Sequence, residues 1–420
     1  MIGSILQKNI VTPYTHNNRF TIKSFMEQKM KHAQHDKQVT MHQKHLLVIA
    51  PYFYPKIGGM ENCAYTIARR FHDVLGYRVT VITSNHLAKE YLQEELDGII
   101  VHRLAPSFKI SNTPIGFSWR RTIKKLCNEI RPDIVNIHTP VPFMADIAAP
   151  ICAMYAPVVL SYHAGSMRKG TLPEDAIILP YEKIFLPMLF RTVSRIAPVS
   201  EYFSHTLGIA VKEKTAVIRP GIDTARFTNT PLPDGDPVVM FVGRIEHSSA
   251  WKGIDELLHA FVSVHTRMPR ARLRIVGGGD AVEHYTALAH TLGIGDVTVF
   301  TGPQTGDALI DAYRTSTVVV LPSTSDAEQS SVVLVEAMAS GRPVIGTRIG
   351  GTPFIIDNEK NGLLVPPKDV LALADTIVRV LSEKILATQL GTQARIDAEA
   401  VDWEKQIRAY AHLFDTLISS

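Results

Sequence analysis

Cysteine is scarce in this 420-residue chain. Only Cys63, Cys127 and Cys152 occur, an odd number, scattered and without a C-x-x-C pair. That excludes a disulfide framework and a zinc knuckle, and it suits a reduced, cytoplasmic setting. No apolar run approaches the ~20 residues that a membrane-spanning helix needs. The opening stretch MIGSILQKNIV has neither the apolar core nor the cleavage site of a secretory signal. A large excess of one charge is lacking too, since 44 Lys/Arg stand against 40 Asp/Glu for a net charge of +4. The excess is local: residues 1–44 hold seven Lys/Arg and two Asp/Glu, and a nearly neutral body does not suit a nucleic-acid enzyme. There is no G-x-x-x-x-G-K-[ST], so a P-loop is excluded, and the glycines at 277–279 do not continue as G-x-G-x-x-G. The D-x-D formed by Asp234 and Asp236 lies in a Pro-rich stretch rather than after an apolar strand, so no metal is expected there. No internal repeat of solenoid length is found.

What remains is an ordinary globular composition, 45% hydrophobic and 20% charged, in a chain long enough for two or three domains. Residues 1–44 are polar, rich in His, Lys and Gln, and read as a disordered extension. Two H-x-x-H pairs, His32/His35 and His42/His45, lack a third ligand and read as part of a solvated tail. Strand and helix patterns then alternate. Strands are expected at 46–50, 79–83, 99–104, 133–138 and 158–161, with helices at 62–75, 119–130 and 143–154. Residues 218–237, rich in Pro, Asp and Gly, read as a linker. A second series follows, with strands at 238–242, 273–276, 297–301, 318–321, 343–345 and 362–365, and an amphipathic helix closes the chain at 402–418. Such alternation predicts α/β domains with parallel sheets and helices on both faces.

The most informative segment is STSDAEQSSVVLVEAMASGRPVIG, residues 323–346. It sets Glu328 in a Ser-rich loop and Glu336 eight residues later, inside an apolar helix. Two carboxylates around a helix start suit a polyhydroxylated ligand that also carries phosphate. The carboxylates accept from hydroxyls, and the unpaired N–H groups of the first helical turn face the anion. Glu336 has apolar or small neighbours in Val335, Ala337, Met338 and Ala339, and a buried carboxylate needs a partner. Upstream, VGRIEHSSAWKG places Arg244 after a strand and Lys252 at a helix start, where cations can stabilise a diphosphate leaving group. Gly58 and Gly59 follow the first strand, where missing side chains let a backbone approach an anion. His138 and His163 end two further strands.

The E-x7-E followed by EAMASGRPVIG resembles the donor-site signature of retaining GT-B glycosyltransferases of family 4, the group 1 type. VGR…KG is similar to that family's diphosphate motif, and the resemblance spans residues 45–418. One departure stands out. The family has Phe-Gly after the first Glu, and this chain has Gln329 and Ser330.

The resemblance implies two Rossmann-like domains facing across a cleft: an acceptor domain at 45–217, a linker at 218–237, a nucleotide-sugar domain at 238–400, and a final helix at 401–420 crossing back. It implies a metal-independent reaction that moves a sugar from a UDP- or GDP-linked donor to a hydroxyl acceptor with retention. The acceptor would be a lipid-linked saccharide, a phospholipid, a small polyol or another glycan precursor. Arg244 and Lys252 would hold the diphosphate. Glu328 and His163 would contact the donor sugar. Glu336 would bind the ribose hydroxyls, and Gly58, Gly59, Ser330, Ser331 and Val332 would meet the phosphates or sugar through backbone N–H groups. His138 would be structural or acceptor-side, with Arg168 and Lys169 available to an anionic acceptor. Rival readings are a sugar-nucleotide-binding protein without turnover and another GT-B enzyme such as an epimerase. A basic helix with Trp119, Arg120, Arg121, Lys124 and Lys125, supported by Lys183, Arg191 and Arg195, offers peripheral contact with an anionic membrane at its cytoplasmic face.

Overall fold

The computed structural model describes residues 43–419 apart from 57, 111–112, 164–175, 177 and 207–208. Nearly all of the expected extension, and Arg168 and Lys169, lie outside these residues.

The N-terminal half runs β1 (His45–Ala50), α1 (Gly59–Asp73), β2 (Arg78–Ser84), β3 (Leu92–Leu96), β4 (Ile99–Leu104), a hairpin of β5 (Phe108–Ile110) and β6 (Thr113–Ile115), α2 (Trp119–Ile130), β7 (Ile134–Thr139), α3 (Met144–Cys152), β8 (Val158–Tyr162), α4 (Leu186–Thr192), β9 (Arg195–Pro198), α5 (Glu201–Thr206) and α6 (Ile209–Lys212). Its strands form a sheet ordered β3-β4-β2-β1-β7-β8-β9. All neighbours pair in parallel except β3, which runs antiparallel to β4. Apolar side chains of β1 are covered on both faces: Leu47 and Ile49 pack with α2 and α3, while Leu46 and Val48 pack with α1. That two-sided burial explains why the strands read as continuous apolar runs.

The second half runs β10 (Val238–Val242), α7 (Ile254–Arg267), β11 (Arg272–Val276), α8 (Val282–Thr291), β12 (Thr298–Phe300), α9 (Gly306–Arg314), β13 (Val318–Leu321), α10 (Val332–Ala339), β14 (Val344–Thr347), β15 (Leu363–Val365), α11 (Val370–Ser382), α12 (Lys384–Ala400) and α13 (Trp403–Ile418). Its sheet, β12-β11-β10-β13-β14-β15, is parallel throughout. The last helix leaves this half. Trp403, Ile407, Tyr410 and Phe414 are buried in the core beneath α1, and the Tyr410 hydroxyl lies 3.1 Å from Ser161 Oγ on β8.

Some details differ from expectation. Edge strand β3, LQEEL, carries three polar residues and no clean alternation, so its pairing with β4 was not foreseen. His45 belongs to β1, where its ring nitrogens meet Thr80 Oγ1 at 2.9 Å and Ile130 O at 3.2 Å, so it is a packed core residue and not part of a tail. Trp119 is fully buried, donating from Nε1 to Ala105 O at 2.8 Å, so the exposed face of α2 carries its arginines and lysines without the tryptophan.

Candidate functional site

Both sheets end at the place where open α/β sheets bind ligands, beyond the carboxyl ends of their strands. On the C-terminal side, Arg244 follows β10 and is largely exposed, with Glu246 Oε2 3.3 Å from its Nη1. Lys252 ends the short helical turn His247–Lys252. Its stem runs over Gly243, where an added Cβ would sit 3.3 Å from Lys252 Cδ. Gly253 follows at φ 78° with its missing Cβ only 2.0 Å from Pro322 O, so this turn is held against the end of β13. The result is a partly buried ion pair, Lys252 Nζ to Glu328 Oε2 at 3.1 Å, with the ammonium also 4.5 Å from the Trp251 ring centroid. Ser323 Oγ donates to the same carboxylate oxygen at 3.2 Å. The expected sugar contact and one half of the expected diphosphate clamp therefore touch.

Two glycines fix the backbone behind Glu328. Gly351 N–H donates to Glu328 O at 2.7 Å, and a Cβ at Gly351 would lie 1.6 Å from Gln329 O. A Cβ at Gly350 would lie 2.2 Å from Glu328 O. Gln329 is buried and its side-chain amide donates to Asp326 O. The residue that departs from the family pattern is thus used inside its own loop. Ser331 caps α10 by accepting from Leu334 N at 3.3 Å, and Val332 is the first helical residue. Ser330 sits partly buried just before the cap.

One turn further on, Glu336 accepts from the Tyr313 hydroxyl at 2.7 Å. Burial pushes its carboxyl up to about 7, opposed by that bond and by the charge of Arg226. Tyr313, on α9, is fully buried and was not singled out in the sequence. Its contact depends on α9 packing behind α10, which no local pattern announces.

On the N-terminal side, Gly58 caps α1 with no side-chain bond, and a Cβ at Gly59 would meet nothing within 4 Å. The Glu61 carboxylate folds back over this helix start, where a Cβ at Gly58 would lie 2.3 Å from its Oε2. His138 and His163 share a hydrogen bond, Nδ1 to Nε2 at 2.9 Å, with stacked rings. Burial pulls His163 down to about 4 and His138 well below its usual range, so both are neutral at physiological pH. Donor atoms of Cys63, His138 and His163 lie within 4.8 Å of one another, a set chemically able to hold a soft metal ion. Each ring already commits one nitrogen to the other, and burial lifts the Cys63 thiol to about 12. The residues of the D-x-D pair at the surface, Asp234 with Lys384 at 2.9 Å and Asp236 with Arg270 at 2.7 Å.

The description "Glycosyltransferase Family 4" matches residues 57–226, and "Glycosyl transferases group 1" matches residues 223–397. A relative from Methanocaldococcus jannaschii, "Uncharacterized glycosyltransferase MJ1607", is 30% identical over 78% of this chain and 87% of its own length. The chain belongs to the group 1 glycosyltransferases. Among other group 1 relatives, a D-inositol 3-phosphate glycosyltransferase of Saccharomonospora viridis is 34% identical over 49% of this chain and 51% of its own length. Sulfoquinovosyl transferase SQD2 of Arabidopsis thaliana is 27% identical over 85% of this chain and 70% of its own. The match thus spans about half the length of the first of these relatives. The fold is GT-B. Sucrose-phosphate synthase from Thermosynechococcus elongatus superposes with a TM-score of 0.74 at 22% identity, over 90% of this chain and 99% of that one. Anabaena Alr3699/HepE, solved with UDP-glucose, gives 0.65 at 20% identity over 89% and 100%.

Proposed function

We propose that this glycosyltransferase is retaining and metal-independent and moves a sugar from a UDP- or GDP-linked donor to a hydroxyl acceptor, a lipid-linked saccharide or another glycan or glycolipid precursor. The observation that carries the reading is the Lys252–Glu328 pair set before the amino end of α10. It brings a cation for a diphosphate and a carboxylate for sugar hydroxyls to one helix terminus, whose unpaired N–H groups also favour an anion.

Arg244 swings from Glu246 onto the diphosphate. Lys252 shares its ammonium between Glu328 and the leaving phosphate. Glu336 accepts from the ribose hydroxyls, and neutral His163 offers a hydrogen bond rather than a charge to the sugar. Gly58, Gly59, Ser330, Ser331 and Val332 present backbone to the same ligand. Catalysis is then positioning plus stabilisation of the departing diphosphate. Contact with an anionic membrane, at the cytoplasmic face, falls to α2, where Arg120, Arg121, Lys124 and Lys125 are exposed beside Phe117.

A thermal-shift screen of nucleotide sugars tests the donor half. A donor at about 100 times its Kd adds about 2.7 kcal/mol to the folded state, so one nucleotide family should raise Tm clearly. Arg244→Ala should abolish that shift and leave the unliganded Tm unchanged, because the side chain is largely exposed. A flat response to every UDP- and GDP-sugar defeats the reading. A shift without release of nucleoside diphosphate on adding cell lipid extract points to binding without turnover.

A further inference from the structure

Beyond the carboxyl ends of β1, β2 and β4, on the other side of β1 from His138 and His163, lies a second cluster of cations. Its floor is Tyr52, just after β1 and only 3% exposed. Lys56 Nζ stands 3.1 Å from the centre of that ring and Lys109 Nζ, on the β5–β6 hairpin, 5.7 Å from it. The His86 ring, just after β2, meets Tyr52 edge-on at 6.2 Å. Arg103, next to last in β4, is 2% exposed. Its Nε donates to Glu94 at 2.5 Å and its Nη2 to Tyr54 O at 2.6 Å, but its buried Nη1 has no partner among the described residues. His86 Nδ1 is likewise buried and unpartnered among them.

Like charges do not gather this way without a reason. A tyrosine face attracts an ammonium by about 0.5–1 kcal/mol at exposed sites, and two flexible lysines on one ring repel each other. Burial first, and then Arg103, Lys56 and Lys109, hold the His86 imidazole below its usual range. Burial and the charge of Lys109 also lower Lys56, against the opposing pull of Glu61. Glu94 offsets Arg103, and Glu61 faces Lys56 and Tyr52, so the balance is one positive charge with an unpaired guanidinium N–H and an unpaired imidazole nitrogen. An ion with several acceptor oxygens offers partners to the ammonium groups and to the unpaired guanidinium N–H.

We propose that this cluster binds a phosphate group carried by the acceptor, placing a phosphorylated hydroxyl compound on the N-terminal side of the cleft. The donor diphosphate already has Arg244, Lys252 and the start of α10. The sheet order sets the new cluster over β4-β2-β1 and the sugar-side His163, with its partner His138, over β7-β8, so the two ligands would lie side by side. The assignment rests on the glycosyl-transfer reading but is tested apart from it.

Calorimetric titration with glycerol 3-phosphate, against glycerol as control, would be run on the wild type, on Lys56→Gln/Lys109→Gln and on Arg244→Ala. Sedimentation with phosphatidylglycerol vesicles, against phosphatidylcholine vesicles, runs in parallel. Wild type and Arg244→Ala should bind the phosphate alike, and the double lysine variant should bind about tenfold more weakly per ammonium removed. Loss confined to glycerol 3-phosphate identifies a soluble acceptor, and loss confined to phosphatidylglycerol vesicles identifies a lipid one. Equal binding of both probes by wild type and the double variant, or binding of neither by the wild type, overturns the proposal. The nucleotide-sugar thermal shift of the double variant reports separately on its fold and on the donor reading. If that shift is missing in every protein while the lysine effect persists, only the donor reading fails.

Discussion

At the scale of single residues, burial and function oppose each other at Glu336. Its carboxyl is pushed up to about 7, first by burial. A raised carboxyl pKa favours the neutral acid in the fold, so stability from this group is present below the ordinary carboxylate range and is lost as pH rises through about 7. Accepting ribose hydroxyls requires the opposite, charged form. Donor affinity should therefore rise over the window in which Glu336 stops favouring the fold, and calorimetry across that window should show a single midpoint near 7. His163, pulled down to about 4, does not titrate there. Glu336→Gln should erase the pH dependence, bind donor about 10–100-fold more weakly, and melt no lower than the wild type above pH 7. A variant that keeps its affinity and its pH profile would remove Glu336 from the ribose site. Glu328 and Glu336 could be singled out from spacing and apolar surroundings. Their partners Lys252 and Tyr313 lie 76 and 23 residues away in sequence, and only the packing of α9 and the turn before α7 brings them close.

At the scale of elements, the loop before α10 owes its shape to a segment after β14. Gly350 and Gly351 leave no room for a side chain against the carbonyls of Glu328 and Gln329. Gly351→Ala would put a methyl 1.6 Å from Gln329 O, so the loop must move and the Gly351 N–H bond to Glu328 O must break. We expect a loss of about 2–4 kcal/mol in chemical denaturation, by analogy with overpacking plus a lost bond. Donor binding should fall further than that of Gly235→Ala, where nothing lies near the added Cβ and the backbone is not left-handed. Equal donor affinity in the two variants would mean that the loop does not position Glu328. Most strands were legible from sequence because two-sided burial makes them apolar throughout, as in VVMFV of β10. The edge strand β3 and the strand β9 were not, because β3 is polar and exposed and β9, RIAP, offers only two apolar residues between an exposed arginine and a proline.

At the scale of the molecule, the last helix belongs by sequence to one half and by packing to the other. Trp403 N–H donates to Ile222 O at 3.0 Å beside the linker. Further along, Phe414 is fully buried, 5.1 Å from the Phe71 ring of α1 and 5.8 Å from Tyr410. Lys44, just before β1, adds an exposed ion pair to Asp415 at 2.6 Å, worth about 0–1 kcal/mol. The amphipathic pattern predicted a helix, but its target could be inferred only from family likeness, since an apolar stripe does not name the surface it covers. Phe414→Ala should cost about 3–5 kcal/mol, and that loss falls on the N-terminal sheet although the substitution lies near the C-terminus. With two cores, unfolding need not be one transition. The variant should lower the transition reported by α1 and the β1–β9 sheet, while the transition that responds to nucleotide sugar stays where it was. Hydrogen exchange followed by mass spectrometry separates the two. A loss of protection confined to residues 238–400 would mean that the helix stabilises the half from which it emerges.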